Sequence, residues 1–450
     1  MTSETRAPAL HRSSARDFLY CQPDPRPARR AAVFPDPQFC GRLDGVDAAR
    51  VGSAFVTCAT ALIEPLARFA TVVLRLDADP PPPETGASRV TAQHRLLAAC
   101  LGDLQKDREG WWGWLDWDIF GWILPEADAA QGLERVREFQ ACLEGRTEAT
   151  VSAGVAVYPC LNFSKSQMLE NARKALDHAA FFGPGQSALF DDVTLNISGD
   201  QRYQHGDING AMAEFKKALD LNPDNLNAHN SLGVCYGVVG AYETALRCFE
   251  AVLKRAPGDL MALYNAGLVN RILGDRERAL GFLLAAAETG EPVFEVAFHT
   301  GRLYMEQHQA AQARPFLESA TRLCPEAGPA WRLLGECLFA LEAVGEAVAA
   351  YKRAIKLNPG DAESLSALGC LFDRQGENPE ITTIFCEQAV DIAPENGLFH
   401  HRLGALYVKQ QRYDEALRAL RRAAELGCDT EAEINAVTRL GILPPAKGKD

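Results

Sequence analysis

Two hydrophobic patterns divide the chain. Up to about residue 191, short apolar runs with strand character alternate with stretches whose apolar positions recur at helical spacing. Asp47–Ala70 is helical in pattern, and Thr71–Leu76 reads as a strand ending in Asp77-Ala78-Asp79. Prolines 80–83 break the chain before a second helical stretch, Thr91–Leu104. Trp111–Pro125 holds two short apolar runs around an acidic tip. Asp128 is placed to cap a helix that runs to Leu143. Ala149–Pro159 then reads as a strand, and Ser166–Phe181 as a helix closed by Gly183-Pro184-Gly185. Strands alternating with helices predict an α/β sandwich, one sheet with helices packed over it.

Beyond residue 191 the pattern becomes wholly helical and periodic. Glycines stand at Gly199, Gly233, Gly267, Gly301, Gly335, Gly369 and Gly404, with successive differences of 34, 34, 34, 34, 34 and 35. Twelve residues after most of them comes an alanine (Ala211, Ala245, Ala279, Ala313, Ala347). Four further on comes a large residue (Phe215, Phe249, Leu283, Leu317, Tyr351). Pro223, Pro257, Pro325 and Pro359 close their units, where a residue without an N–H ends a helix and sets a turn. Such a period predicts helical hairpins, the glycine and the alanine marking the close crossing of the two helices. The large residue is expected to fill the gap to the next hairpin. The sixth unit carries one extra residue near Asn378-Pro379-Glu380, with Thr382 where alanine is expected, and a local distortion is predicted there.

With Tyr236, Tyr304 and Tyr407 three residues after their glycines, this order resembles the tetratricopeptide repeat over residues 192–428, seven units. The resemblance implies an all-α solenoid, capped by residues 429–450 through a helix over Asp429–Leu443. It also implies a groove lined by the first helix of each unit and a protein or peptide as partner. In the family register the groove candidates are Asn196, Asn230, Tyr264, Phe298, Arg302, Arg332 and Arg374. Arg302 and Arg332 offer carboxylate pairing. The Lys/Asn/Arg clamp with which some members hold a C-terminal carboxylate is not matched, which disfavours a chaperone tail as ligand.

In the first half, Thr150-Val151-Ser152-Ala153-Gly154-Val155-Ala156-Val157-Tyr158-Pro159 and Asn171-Ala172-Arg173-Lys174-Ala175-Leu176 resemble the strand and helix that follow the signature of GGDEF diguanylate cyclases. Phe120, five residues before Pro125, falls where that signature has its phenylalanine. The resemblance covers about residues 46–191 and implies a nucleotidyl-cyclase-like α+β sandwich. The signature itself becomes Asp116-Trp117-Asp118-Ile119-Phe120. Asp116 and Trp117 replace the glycines that let nucleotide phosphates approach, and Ile119 replaces a carboxylate. Asp118, with Asp77 or Asp79 as partner, keeps at most a two-carboxylate Mg²⁺ site. Phosphoryl transfer rests on metal, positioning and charge neutralisation, so no cyclase activity is expected and no resident cofactor is implied.

Composition adds three limits. A net charge of −13 argues against nucleic acid or an anionic membrane as partner. No apolar run approaches the length of a membrane helix, and Met1–Tyr20 lacks the apolar core of a signal peptide. The 13 cysteines fall singly without a C-x-x-C pair, as small buried hydrophobes of a reducing, cytoplasmic compartment. Residues 1–45, rich in Arg and Pro, read as a poorly ordered leader or an arm laid over the next domain. Together these features predict a non-catalytic bacterial scaffold: a degenerate cyclase-like module of structural or sensing role joined to a partner-binding repeat array. The alternative is a regulator that senses GTP or cyclic di-GMP without turning it over.

Overall fold

The computed structural model describes residues 50–77, 92–106, 109–116, 118–290 and 292–442. The leader, the proline run, Asp79 and Trp117 lie outside them. The chain falls into two compact units, residues 1–257 and 258–450.

The first unit opens with an α/β sandwich. Its helices are α1 (Gly52–Ile63), α2 (Ala92–Gln105), α3 (Ala129–Leu143) and α4 (Met168–Ala179). Its strands are β1 (Phe69–Asp77), β2 (Trp111–Trp114), β3 (Ile119–Pro125), β4 (Thr150–Tyr158) and β5 (Ser187–Leu189). Among the described residues they form one mixed sheet in the order β2-β3-β1-β4-β5, antiparallel except for β4 with β5. Alternation along β1 explains the two layers. Ala70, Val72, Leu74 and Leu76 point to a core shared with Leu97 and Leu101 of α2 and Val136 and Phe139 of α3. Phe69 and Val73 point the other way, to Phe55 and Ala59 of α1 and Ala172 and Leu176 of α4. Helix α3 starts as predicted, Asp128 and Gln131 forming a capping box.

Two expectations need correction. The first helix ends at Ile63 rather than Ala70, because Pro65 cannot donate to the helix ladder, and β1 then begins at Phe69. Strand β5 was not foreseen, being three residues long and without a period of its own.

The same unit continues into two helical hairpins, α5 (Asp192–Gln204) with α6 (Ile208–Leu221) and α7 (Leu226–Val238) with α8 (Tyr242–Leu253). No linker separates them from the sandwich. Leu195, Ala218 and Ala228 enter the core cluster of Phe69, Val73 and Leu176. His178 on α4 hydrogen-bonds Thr194 on α5 at 3.0 Å. Lys174 on α4 donates to both carboxylate oxygens of Glu214 on α6, at 2.7 and 2.9 Å.

The second unit is a run of hairpins: α9 (Leu260–Ile272) with α10 (Arg276–Glu288), α11 (Phe294–Glu306) with α12 (Ala310–Leu323), α13 (Gly328–Ala340) with α14 (Val344–Leu357), α15 (Ala362–Gln375) with α16 (Pro379–Ile392), and α17 (Gly397–Lys409) with α18 (Tyr413–Glu425). A further helix, α19 (Glu431–Ile442), buries Val437 against Leu420 and Tyr407.

The 34-residue period has a steric cause in both units. A Cβ at Gly199, Gly233, Gly301 or Gly335 would come within 3 Å of Phe215, Phe249, Leu317 or Tyr351, the large residue sixteen positions on. That residue therefore lies over the glycine of its own hairpin, rather than serving only the gap to the next. In the sixth unit a Cβ at Gly369 would instead stand 2.5 Å from the Cys386 sulfur, seventeen positions on. The extra residue sits in the turn: left-handed Gly376 is followed by Glu377 before the N-cap Asn378, whereas Gly240 is followed directly by the N-cap Ala241. Thr382 fits the alanine site by bonding its hydroxyl to the Asn378 carbonyl at 3.1 Å. Three prolines at unit ends are fastened as well: the carbonyls of Pro223, Pro325 and Pro394 accept from ring nitrogens six residues later, on His229, Trp331 and His400.

Candidate functional site

In the second unit a cavity of about 520 Å³ lies along α11 and α13, the first helices of two consecutive hairpins. Its lining follows helical spacing: Phe298, Arg302, Met305 and Glu306 from α11, and Pro329, Arg332, Leu333 and Glu336 from α13. Apolar Phe298, Met305, Pro329 and Leu333 thus share the site with two guanidiniums and two carboxylates.

Neither arginine is saturated. Arg302 lies 3.4 Å from Glu306, and Arg332 lies 3.7 Å from Asp361 and 3.9 Å from Glu363. These are ion pairs rather than aligned hydrogen bonds, so the planar N–H edges stay available to a carboxylate or backbone carbonyl. Glu336 has no hydrogen-bond partner among the described residues. Burial pushes its carboxyl up, Arg332 pulls it down, and Asp361 and Glu363 push it up again. The site can therefore recognise a cation beside an anion along an apolar strip.

Of the groove candidates the structure brings Phe298, Arg302 and Arg332 together here. Asn196, Asn230 and Tyr264 are corrected. Tyr264 is fully buried, packed edge-on against His299 with ring centroids 5.7 Å apart. Asn230 is buried, and Asn196 is buried with its amide donating to Asp200 at 3.1 Å. None of the three is open to a partner. Arg374 is exposed but stacks over Phe339 at 5.2 Å, outside the cavity lining. Glu336 was missed, although advancing Arg302 by one period of 34 reaches it.

His299 sits behind this wall, its Nδ1 cut off from solvent and without a partner among the described residues. Burial, with help from Arg271 and Arg302, holds its pKa down to about 3. Between that value and the ordinary one near 6.5, the unfolded chain binds a proton that the folded chain refuses. The stabilising contribution is complete above about pH 6.5 and is lost as pH falls, by up to roughly 1.4 kcal/mol per unit. Urea unfolding followed through Trp331 should show the second unit weaker at pH 5 than at pH 7 by on the order of 1–2 kcal/mol. His299→Phe should flatten that difference. An unchanged pH slope in the variant would mean that the ring titrates freely in the folded state.

Between β2 and β3 the chain is held by backbone hydrogen bonds. Leu115 N and Asp116 N donate to the Ile119 carbonyl at 2.8 and 3.1 Å, and Asp116, Ile119 and Phe120 are buried. The Asp118 carbonyl accepts from Leu76 N at 2.9 Å, on the β3 side of β1. The Asp77 carboxylate turns to the other side, where Oδ2 accepts from Thr150, Ser152 and Gly185 N at 3.0, 2.7 and 2.8 Å. The suggested Asp77–Asp118 metal pair is thereby corrected: Asp77 ties β1 to β4 and to the β5 entry. No group of three or more potential metal ligands occurs among the described residues.

Successive paired helices of 12 to 14 residues define a helical repeat architecture. Tetratricopeptide repeat models match residues 199–237, 239–292, 299–362 and 397–428, so this part of the chain carries tetratricopeptide repeats. The longest stretch skipped between matches, 363–396, holds nearly all of the sixth unit, with its extra residue. Among curated proteins the chain is similar to Hsp70-Hsp90 organizing protein 1 of Glycine max, 24% identical over 230 residues, covering 50% of this chain and 40% of that protein. It is also similar to BBSome complex member BBS4 of Bos taurus, 24% identical over 201 residues, covering 37% and 39%. This chain therefore spans about two fifths of the length of these relatives. Among solved structures it is similar to YrrB, titled a TPR protein with an unusual peptide-binding site, at 22% identity and TM-score 0.39, covering 42% of this chain and 96% of that one. No helix among the described residues is long and apolar enough to cross a membrane.

Proposed function

We propose that this protein is a non-catalytic scaffold in bacterial signalling whose repeat array holds an extended segment of a partner protein. The observation that carries this reading is the α11–α13 cavity, where unsaturated Arg302 and Arg332 flank apolar Phe298 and Leu333. The relatives' names, an organizing protein and a complex member, support an assembly role.

The α/β domain serves in this reading as a structural module of degenerate diguanylate-cyclase-like fold. Its strand order and the short turn beside the end of β1 support that origin. The nucleotide-sensing alternative is less well supported, because Asp77 is spent on hydrogen bonds within the sheet and Asp116 is buried.

The test is peptide binding by the full chain. Wild-type protein is screened against a bead-displayed library of extended peptides, and affinities of the hits are measured by fluorescence anisotropy. Arg302→Glu combined with Arg332→Glu should weaken binding at least tenfold, since truncating a charged partner in an interface costs about 2 kcal/mol or more. Both side chains are partly exposed, so folding should persist. Hits that bind the double variant as tightly as wild type would sink the reading.

A further inference from the structure

Cys100 on α2 and Cys142 in the last turn of α3 meet on one face of the sheet. Their sulfurs are 2.7 Å apart, and Nη1 of Arg146 lies 3.3 Å from the first and 3.5 Å from the second. Cys100 is buried in the core of Leu97, Leu101, Val136 and Phe139, whereas Cys142 is half-buried. Two sulfurs so placed are about 0.7 Å beyond disulfide bonding distance, near enough for one to attack the other directly. A guanidinium touching both sulfurs is no requirement of apolar packing. It supplies positive charge where a thiolate would form and where an oxygen anion would leave.

We propose that Cys100 and Cys142 are a modification site, a reversible disulfide between α2 and α3 formed by a hydroperoxide that arrives at Cys142. The Cys142 sulfur, having lost its proton, attacks the near peroxide oxygen. The O–O bond breaks, leaving a sulfenic acid on Cys142 and an alkoxide or hydroxide that takes up the proton. The Cys100 sulfur then attacks the Cys142 sulfur and displaces hydroxide, which combines with the Cys100 proton as water. Two thiols are oxidised by two electrons, and one peroxide is reduced to an alcohol, or water, plus water. The order follows from burial, which pushes the Cys100 thiol up to about 12, with the adjacent Cys142 sulfur adding to the rise. Cys100 is thus the resolving sulfur. The link spans 42 positions of sequence and encloses β2, β3 and their turn.

The experiment treats the full chain with hydrogen peroxide, blocks remaining thiols with N-ethylmaleimide, and maps peptides with and without dithiothreitol. A dithiothreitol-sensitive peptide joining Cys100 to Cys142 is expected. The first-unit melting temperature should rise by roughly 5–15 °C on oxidation, as a loop of this length predicts. Cys142→Ser should abolish both the peptide and the rise, and Arg146→Ala should slow linkage about tenfold. Recovery of Cys100 and Cys142 as alkylated thiols, after peroxide has oxidised other cysteines, would overturn the proposal. So would a link confined to other cysteines, or sulfinic acid at Cys142 without a link.

Discussion

Glu214→Ala is expected to cost the first unit about 3–5 kcal/mol, the range for breaking a buried ion pair from one side. Glu214 and Lys174 retain only 7% and 11% of their side-chain exposure, and the ammonium reaches both carboxylate oxygens. Arg202 stands 3.7 Å from the same carboxylate. Removing Glu214 leaves Lys174 desolvated and uncompensated, beside a second cation. The pair itself contributes far less than its loss costs, so Lys174→Met with Glu214→Leu should recover most of the stability. Denaturation read through the tryptophans of β2 and β3 reports on this unit, and limited proteolysis reports on the junction. The alanine variant should become cleavable at residues 186–200, where wild type resists. A loss under about 1 kcal/mol would mean that solvent screens the pair as it does at a surface.

That ion pair also shows where sequence reasoning stops. Amphipathic spacing places Lys174 and Glu214 on helices, and a lysine and a glutamate read there as solvated polar positions. Their burial arises only because α6 lies over α4, a contact forty residues apart that no local period encodes. The glycine period was legible because its cause is local: each glycine and its large partner belong to one hairpin. The cavity lining was legible only in part for a related reason. Register locates a face of each first helix, but Asn196, Asn230 and Tyr264 share that register with Phe298 and Arg332 and are buried, whereas the latter two open onto the cavity. Depth depends on neighbours rather than on register. The sandwich was legible through alternation, and Asp77 was misjudged because a carboxylate at a strand end looks the same whether it faces a metal or three donors.

Gly154→Ala should be nearly as damaging as the loss of Glu214, at about 3 kcal/mol, the upper end of overpacking costs. A Cβ at Gly154 would stand 2.0 Å from the Ala172 carbonyl oxygen, 2.1 Å from Leu176 N and 2.8 Å from the Ala175 carbonyl carbon. All three are backbone atoms of α4, so no rotamer change relieves the clash and the helix must lift as a body. Lifting it uncovers Met168, Ala172, Leu176 and the strand residues beneath them, and pulls Lys174 away from Glu214. The variant should therefore lose the sandwich core and the junction to the first hairpin in one transition. Gly102→Ala is the matched control: nothing lies within 4 Å of its added methyl group, and within the last turn of α2 alanine should stabilise by up to roughly 0.5–1 kcal/mol. Opposite signs for two glycine-to-alanine changes in one domain would separate close packing from backbone entropy. If Gly154→Ala were tolerated within about 1 kcal/mol, α4 would not be seated on β4 at contact distance, and its contact with the first hairpin would not depend on that seat.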